Sequence, residues 1–231
     1  MGVASVADLA EEIEVAYPQQ PHCATVLLLD VSGSMAGAKL GALQEGLRLF
    51  LRETAADPLA AKRVDLCLVT FGGEVTVAHD FAPVTEYGAD LGLVARGATP
   101  LGQALERGME LIEARKVAYR SQGTDYYRPW LMVITDGEPT DCKPGDERWG
   151  RVSGALQQGV AAGRFAYFAV GVDGCNLERL RQLCPEGRPP LALQGLAFAA
   201  LFSWLSRSQR QVSASQTGET VALPPVDWGT V

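Results

Sequence analysis

Positive charge is in short supply in this sequence. Twenty Lys and Arg stand against 27 Asp and Glu, giving a formal net charge of −7, and no run of basic residues occurs. Nucleic acid and anionic membrane surfaces are bound largely through cations that replace counterions, so neither is expected as the main partner. Paired cysteines are missing too: Cys23, Cys67, Cys142, Cys175 and Cys184 are scattered, odd in number and lack a C-x-x-C spacing. That argues against a disulfide framework and against a zinc knuckle. The opening MGVASVADLAEEIEVAYPQQ carries acids where a signal peptide needs a basic start and an apolar core, and Val6 stands where a myristoylation pattern wants Ser or Thr. A cytoplasmic protein is the expectation. The longest apolar stretch, LALQGLAFAALFSWL at Leu191–Leu205, includes Gln194 and falls short of the roughly 18 to 20 residues a membrane span requires, so it is assigned to a core without membrane insertion. There is no internal repeat.

What the sequence does contain is an alternation of strand and helix patterns over 231 residues, enough for one substantial domain. Val26 to Leu29 read as a strand buried on both faces. Leu40, Leu43, Leu47 and Phe50 then share a helical face that ends at ADP, Ala56–Pro58. RVDLCLVTF (63–71) and EVTVAHDF (74–81) form two strands about a glycine turn, the second antiparallel at the sheet edge. PLGQALERGMELIEAR (100–115) predicts a long helix opened by proline, and Trp130–Ile134 a fourth strand. A helix weakened by Gly150, Gly154 and Gly159 follows over 146–162, then the strand RFAYFAVGV, a short helix capped by Asn176, the strand PLAL, and a last helix over 198–206. The pattern predicts a three-layer, doubly wound, mainly parallel α/β sheet of six strands with one antiparallel edge strand and helices on both faces. Residues 1–20 are read as an N-terminal segment, 21–207 as the domain and 208–231 as a tail packed down by Trp228.

Ligands of such sheets bind outside the carboxyl ends of the strands, where strand order reverses. The first strand ends in TVLLLDVSGSMAG, a D-x-S-x-S pattern of Asp30, Ser32 and Ser34, in which a turning loop can aim one carboxylate and two hydroxyls at one point. Thr99 in RGATPLGQAL and Asp136 in VITDGEPTD supply oxygen donors at equivalent places. Oxygen-only chemistry suits a hard divalent cation, Mg²⁺ in particular. Alone, D-x-S-x-S is more often a turn held by Asx and Ser hydrogen bonds, and either Asp could be a helix cap. The three segments together favour a metal.

These residues resemble the metal-ion-dependent adhesion site of von Willebrand factor A domains, over about residues 21–207. More narrowly, YYRPWLMVITDGEPTD, LFSWLSRS and the closing VALPP…W resemble a stand-alone bacterial group associated with tellurium resistance, the TerY-like proteins. The resemblance implies that Ser32, Ser34 and Thr99 offer hydroxyls to Mg²⁺, or alternatively Mn²⁺, with Asp30 and Asp136 bound directly or through water. It also implies an Asp or Glu from a protein partner as the outside ligand, and a last helix that shifts with the ligand set. The setting implied is a bacterial stress-response assembly that includes kinase and phosphatase components.

Other chemistries fit less well. GSMAGAK lacks the spacing of a phosphate loop. A haloacid-dehalogenase-type phosphatase would use Asp30 as nucleophile and a second Asp two residues on as acid/base, where Ser32 stands. A scaffold with a vestigial site is the third possibility. His22 and His79 are not placed to act as general bases, Glu138 and Asp141 read as solvated loop acids, and Cys142 as a plain buried cysteine. No catalytic residue is expected.

Overall fold

In the computed structural model, which describes residues 14–88 and 91–230, the run Val26–Leu29 lies inside strand β1 (Cys23–Asp30), buried along its whole length. Residues 1–13, and with them Val6 and most of the N-terminal segment, lie outside the described residues. The chain continues through α1 (Ala38–Ala55), α2 (Ala60–Arg63), β2 (Val64–Gly72), β3 (Glu74–Pro83), α3 (Leu101–Ser121), β4 (Trp130–Thr135) and α4 (Glu147–Ala161). It ends with β5 (Ala166–Gly171), α5 (Leu177–Leu183), β6 (Leu191–Leu193), α6 (Phe198–Ala214) and β7 (Gly229–Thr230). Among the described residues the sheet runs β3-β2-β1-β4-β5-β6-β7, with β3 and β7 antiparallel to their neighbours and the rest parallel.

Because successive strand residues point to opposite faces, β1 serves two cores. Leu27 and Leu29 pack with Leu43, Leu47 and Phe50 of α1 and Phe198, Leu201 and Phe202 of α6. Val26 and Leu28 pack with Leu101, Leu105 and Ile112 of α3 and Val152 and Leu156 of α4. β3 alternates between exposed and half-buried residues, as an edge strand with one solvated face should.

Two elements run longer than their apolar periodicity, for the same reason. α3 continues past Arg115 to Ser121 because Arg115 is buried in an ion pair with Asp65 and Lys116 is held by Glu113. α6 continues past Ser206 to Ala214 because buried polar side chains there find partners inside the fold: Ser208 Oγ donates to the Trp204 carbonyl at 2.8 Å and Gln209 Nε2 to Thr25 Oγ1 at 2.9 Å, although Gln209 Oε1 is left without a partner among the described residues. The chain then returns as a strap over α6. Trp204 Nε1 donates to the Pro224 carbonyl at 2.8 Å, Trp228 is buried, and β7 adds a seventh strand to the edge of β6. Trp204 stands between Trp130 and Trp228, with ring centroids 6.3 and 5.7 Å away.

Candidate metal centre

Strand order reverses between β1 and β4, and the loops that leave these two strands flank the resulting crevice. Their registers put Leu29 opposite Ile134, so the next residues, Asp30 and Thr135, are neighbours. Thr135 Oγ1 donates to Asp30 Oδ2 at 2.6 Å, and the Ser32 amide donates to Asp30 Oδ1 at 2.8 Å. Asp30 is thus an orienting anchor, fully buried with both oxygens engaged. Burial pushes its carboxyl above the usual range, against the hydrogen bonds from Ser32 and Thr135, while the nearby Asp136 charge adds to the upward push.

The loop after β1 turns through a short 3-10 segment, Gly33–Met35, with Met35 buried beneath it as a plug. Ser32 and Ser34 therefore point to the same side, their Oγ atoms 3.0 Å apart, and Ser34 Oγ donates to Asp136 Oδ1 at 2.6 Å. Ser32, Thr99 and Asp136 are buried whereas Ser34 is exposed, so the cluster opens to solvent on one side.

Thr99 is brought in by main-chain stitching. The Arg96 amide donates to the Val31 carbonyl at 2.7 Å, Gly33 to Gly97 at 3.0 Å and Gly73 to Ala98 at 2.7 Å. On the far side the Thr140 amide donates to the Thr99 carbonyl at 2.9 Å, and Thr140 Oγ1 accepts from the Thr99 amide at 3.1 Å. The loops after β1 and β4, the β2–β3 turn and the loop before α3 are thereby locked together, four segments in all, without any side chain of the cluster taking part. Gly97 sits at φ +68°, where a Cβ would come within 2.5 Å of Gly73 Cα, so only glycine fits this crossing.

All five residues expected at the site, Asp30, Ser32, Ser34, Thr99 and Asp136, line this crevice. Two residues of the cluster were not foreseen. Thr135 could have been read from its place at the end of a buried strand beside Asp136, where a hydroxyl must find an acceptor. Lys39, whose Nζ donates to Asp136 Oδ2 at 2.5 Å, could have been read from its place in the first turn of α1, where a cation opposes the helix dipole unless an anion faces it. Glu138 is exposed and accepts from Asn176 Nδ2 at 2.5 Å. Asp141, rather than being a solvated acid, caps α3: its carboxylate accepts from the amides of Gly102 and Gln103 at 3.1 and 2.8 Å. Burial pushes the Cys142 thiol up to about 11 and the Cys175 thiol, near the cluster, also to about 11, so neither is poised as a thiolate.

The donor set suits a hard cation. Among the described residues no group of three or more His, Cys, Asp or Glu side chains is gathered to hold a metal, so an ion here would rely on two carboxylates and three hydroxyls, a poor set for zinc and a good one for Mg²⁺. The space is also reserved: a Cβ on Gly137 would stand 3.1 Å from Thr99 Oγ1 and 3.8 Å from Asp30 Oδ2.

Fold and cluster together define an α/β binding domain with an oxygen-lined crest at the switch point of its sheet. The family model of the von Willebrand factor type A domain matches residues 25–138, from β1 to just beyond Asp136, and the chain contains such a domain, typically a protein-binding module. No curated protein matches the chain in sequence. Among solved structures it is similar to the pilus adhesin SpaC from Lactobacillus rhamnosus GG in an open conformation, with 14% identity over 84% of this chain and a TM-score of 0.62. It spans 31% of that adhesin's length. It is similar over 87% of its length to the vWF domain of the type V pili tip protein Mfa5 from Porphyromonas gingivalis, with 13% identity, 99% of that chain covered and a TM-score of 0.56. The SpRpn10 VWA domain is matched at 13% identity over 78% of this chain and 95% of that one, with a TM-score of 0.55. At such identities the likeness is one of fold. No helix among the described residues is long and apolar enough to cross a membrane.

Proposed function

We propose that the chain is a non-enzymatic protein-binding module whose Asp30, Ser32, Ser34, Thr99 and Asp136 hold Mg²⁺, with Mn²⁺ as the alternative, and that an Asp or Glu of a protein partner completes the site. The observation that carries this reading is the contact between loops far apart in sequence, in which Ser34 Oγ lies 2.6 Å from Asp136 Oδ1 and 3.0 Å from Ser32 Oγ. A hard divalent cation, when bound, supplies a coordination position that an outside carboxylate can fill. The chain's own part is to hold the hydroxyls: Asp30 fixes the Ser32 backbone, Asp136 fixes Ser34, and the stitched loops fix Thr99. Both oxygens of buried Asp30 are engaged, which favours a holding role over attack on a phosphate ester. The likeness of YYRPWLMVITDGEPTD, LFSWLSRS and the closing VALPP…W to the TerY-like group supports a setting in a bacterial tellurium-resistance or chemical-stress assembly with kinase and phosphatase components, and the scattered cysteines support a cytoplasmic location.

Calorimetric titration with Mg²⁺ is expected to show one site on the wild type that is lost in Asp30→Ala. Equal binding by both proteins would overturn the assignment. A displayed peptide library selected in Mg²⁺ should enrich acidic sequences that elute in EDTA, whereas enrichment indifferent to chelator would show that recognition lies elsewhere.

A further inference from the structure

We propose that Lys39 is a tethered cation that competes with the metal for Asp136 and so sets how much metal the site needs; this rests on the metal-holding reading above. Lys39 is the second residue of α1, and the first turn of that helix contains no acid to neutralise it. A cation there works against the helix dipole. It is held instead from across the fold: Nζ lies 2.5 Å from Asp136 Oδ2, 97 residues away in sequence. The carboxylate side chain is 0% exposed and the lysine side chain 23%. Gly174, at φ +92°, lies beside the ammonium, where a Cβ would make an ordinary contact 3.7 Å from Nζ.

Both oxygens of Asp136 are thus committed, Oδ1 to the Ser34 hydroxyl and Oδ2 to Lys39. Of the two buried carboxylates in the cluster, Asp136 has a resident counter-charge, whereas Asp30 is satisfied by a hydroxyl and an amide. A divalent ion drawn to these carboxylates meets an ammonium already on one of them, and two cations sharing so small and sheltered a space repel strongly. Lys39 can yield, because its flexible stem reaches solvent. The cluster therefore has two arrangements of charge. In one, Lys39 neutralises Asp136 and keeps the loop after β1, the start of α1 and the loop after β4 together without metal. In the other, metal takes Asp136 and the ammonium turns outward. Any group that stabilises the metal-free state lowers apparent metal affinity by the same free energy.

The test compares wild type, Lys39→Met and Lys39→Gln, with Lys62→Met as a control that removes the same charge from α2, at the opposite end of the sheet. Mg²⁺ affinity is measured by calorimetry and thermal midpoints are measured in EDTA and in saturating Mg²⁺. Both Lys39 variants are expected to bind Mg²⁺ at least tenfold more tightly than wild type, to melt lower in EDTA and to regain the difference in Mg²⁺, while Lys62→Met keeps wild-type affinity. Equal or weaker binding by both Lys39 variants, with wild type still binding in an Asp30-dependent way, overturns the role of Lys39 and leaves the metal site standing. Absence of Mg²⁺ binding by wild type and both variants overturns the site and the role of Lys39 together. Binding by the variants alone supports the competition in its strongest form.

Discussion

Arg115→Met is expected to destabilise the chain by about 3–5 kcal/mol, because it strands a buried charge. Asp65, at the start of β2, is 0% exposed. Its Oδ2 accepts from Arg115 Nε and Nη2 at 3.2 and 2.7 Å and from the Tyr119 hydroxyl at 2.6 Å, with His22 Nδ1 at 3.2 Å. Burial by itself pushes the Asp65 carboxyl up, yet the hydrogen bond from His22, the charges of Arg115 and His22, and the hydrogen bond from Tyr119 outweigh it and hold the carboxyl below its ordinary value. The direction fixes the pH dependence. A carboxyl with a lower pKa folded than unfolded contributes stability that is complete above the unfolded value, near about 3.9, and is lost as pH falls through the folded value. Urea titrations should therefore show wild-type stability declining below about pH 4. The gap between wild type and Arg115→Met should be widest at neutral pH and narrow in acid. The double variant Asp65→Leu/Arg115→Met, which removes both charges, should cost far less than Arg115→Met alone. Equal costs for the two would mean that Arg115 acts by packing rather than by charge.

Gly97→Ala is expected to cost on the order of 3 kcal/mol and, on the metal-holding reading proposed above, to weaken Mg²⁺ binding as well, although residue 97 carries no donor. The new methyl would meet main chain at 2.5 Å from Gly73 Cα and 2.7 Å from Gly73 N, and φ +68° is itself unfavourable for alanine. Main chain cannot turn aside as a side-chain tip can, so the loop before α3 must lift and take Thr99 with it. Gly123→Ala separates the two contributions: Gly123 has φ +67° but nothing within 4 Å of its Cβ position, so it should lose only the conformational part, about 1 kcal/mol, and keep Mg²⁺ affinity. Similar losses of stability and unchanged affinity in both variants would show that Thr99 is not placed by this crossing.

Much of this architecture was legible because burial and periodicity agreed. Val26–Leu29 and Trp130–Ile134 could only be central strands, and the polar residues that follow them had to sit at one end of the sheet. Legibility failed where polar groups are buried in pairs. Arg115, Lys116, Ser208 and Gln209 look like surface residues in a hydropathy pattern, yet ion pairs and hydrogen bonds let them fill core positions, so α3 and α6 were read short. The seventh strand was illegible for another reason: two residues, Gly229 and Thr230, are too few to carry any period, and their place at β6 follows from Trp228 docking on Trp204. At the crevice, the residue types and order of the five donors were readable, whereas Lys39 and Thr135 act through partners 97 and 105 residues distant that no local pattern encodes.

The row of indole rings under the strap gives the molecule a built-in optical gauge. Trp204 is tilted 40° to Trp130 and 64° to Trp228, at separations where neighbouring transition dipoles exchange excitation, so the near-ultraviolet circular dichroism should carry a coupled signature. Lifting residues 216–230 would remove one ring from the row and change that signature without touching the crevice, so strap opening can be followed on unlabelled protein separately from events at the crest.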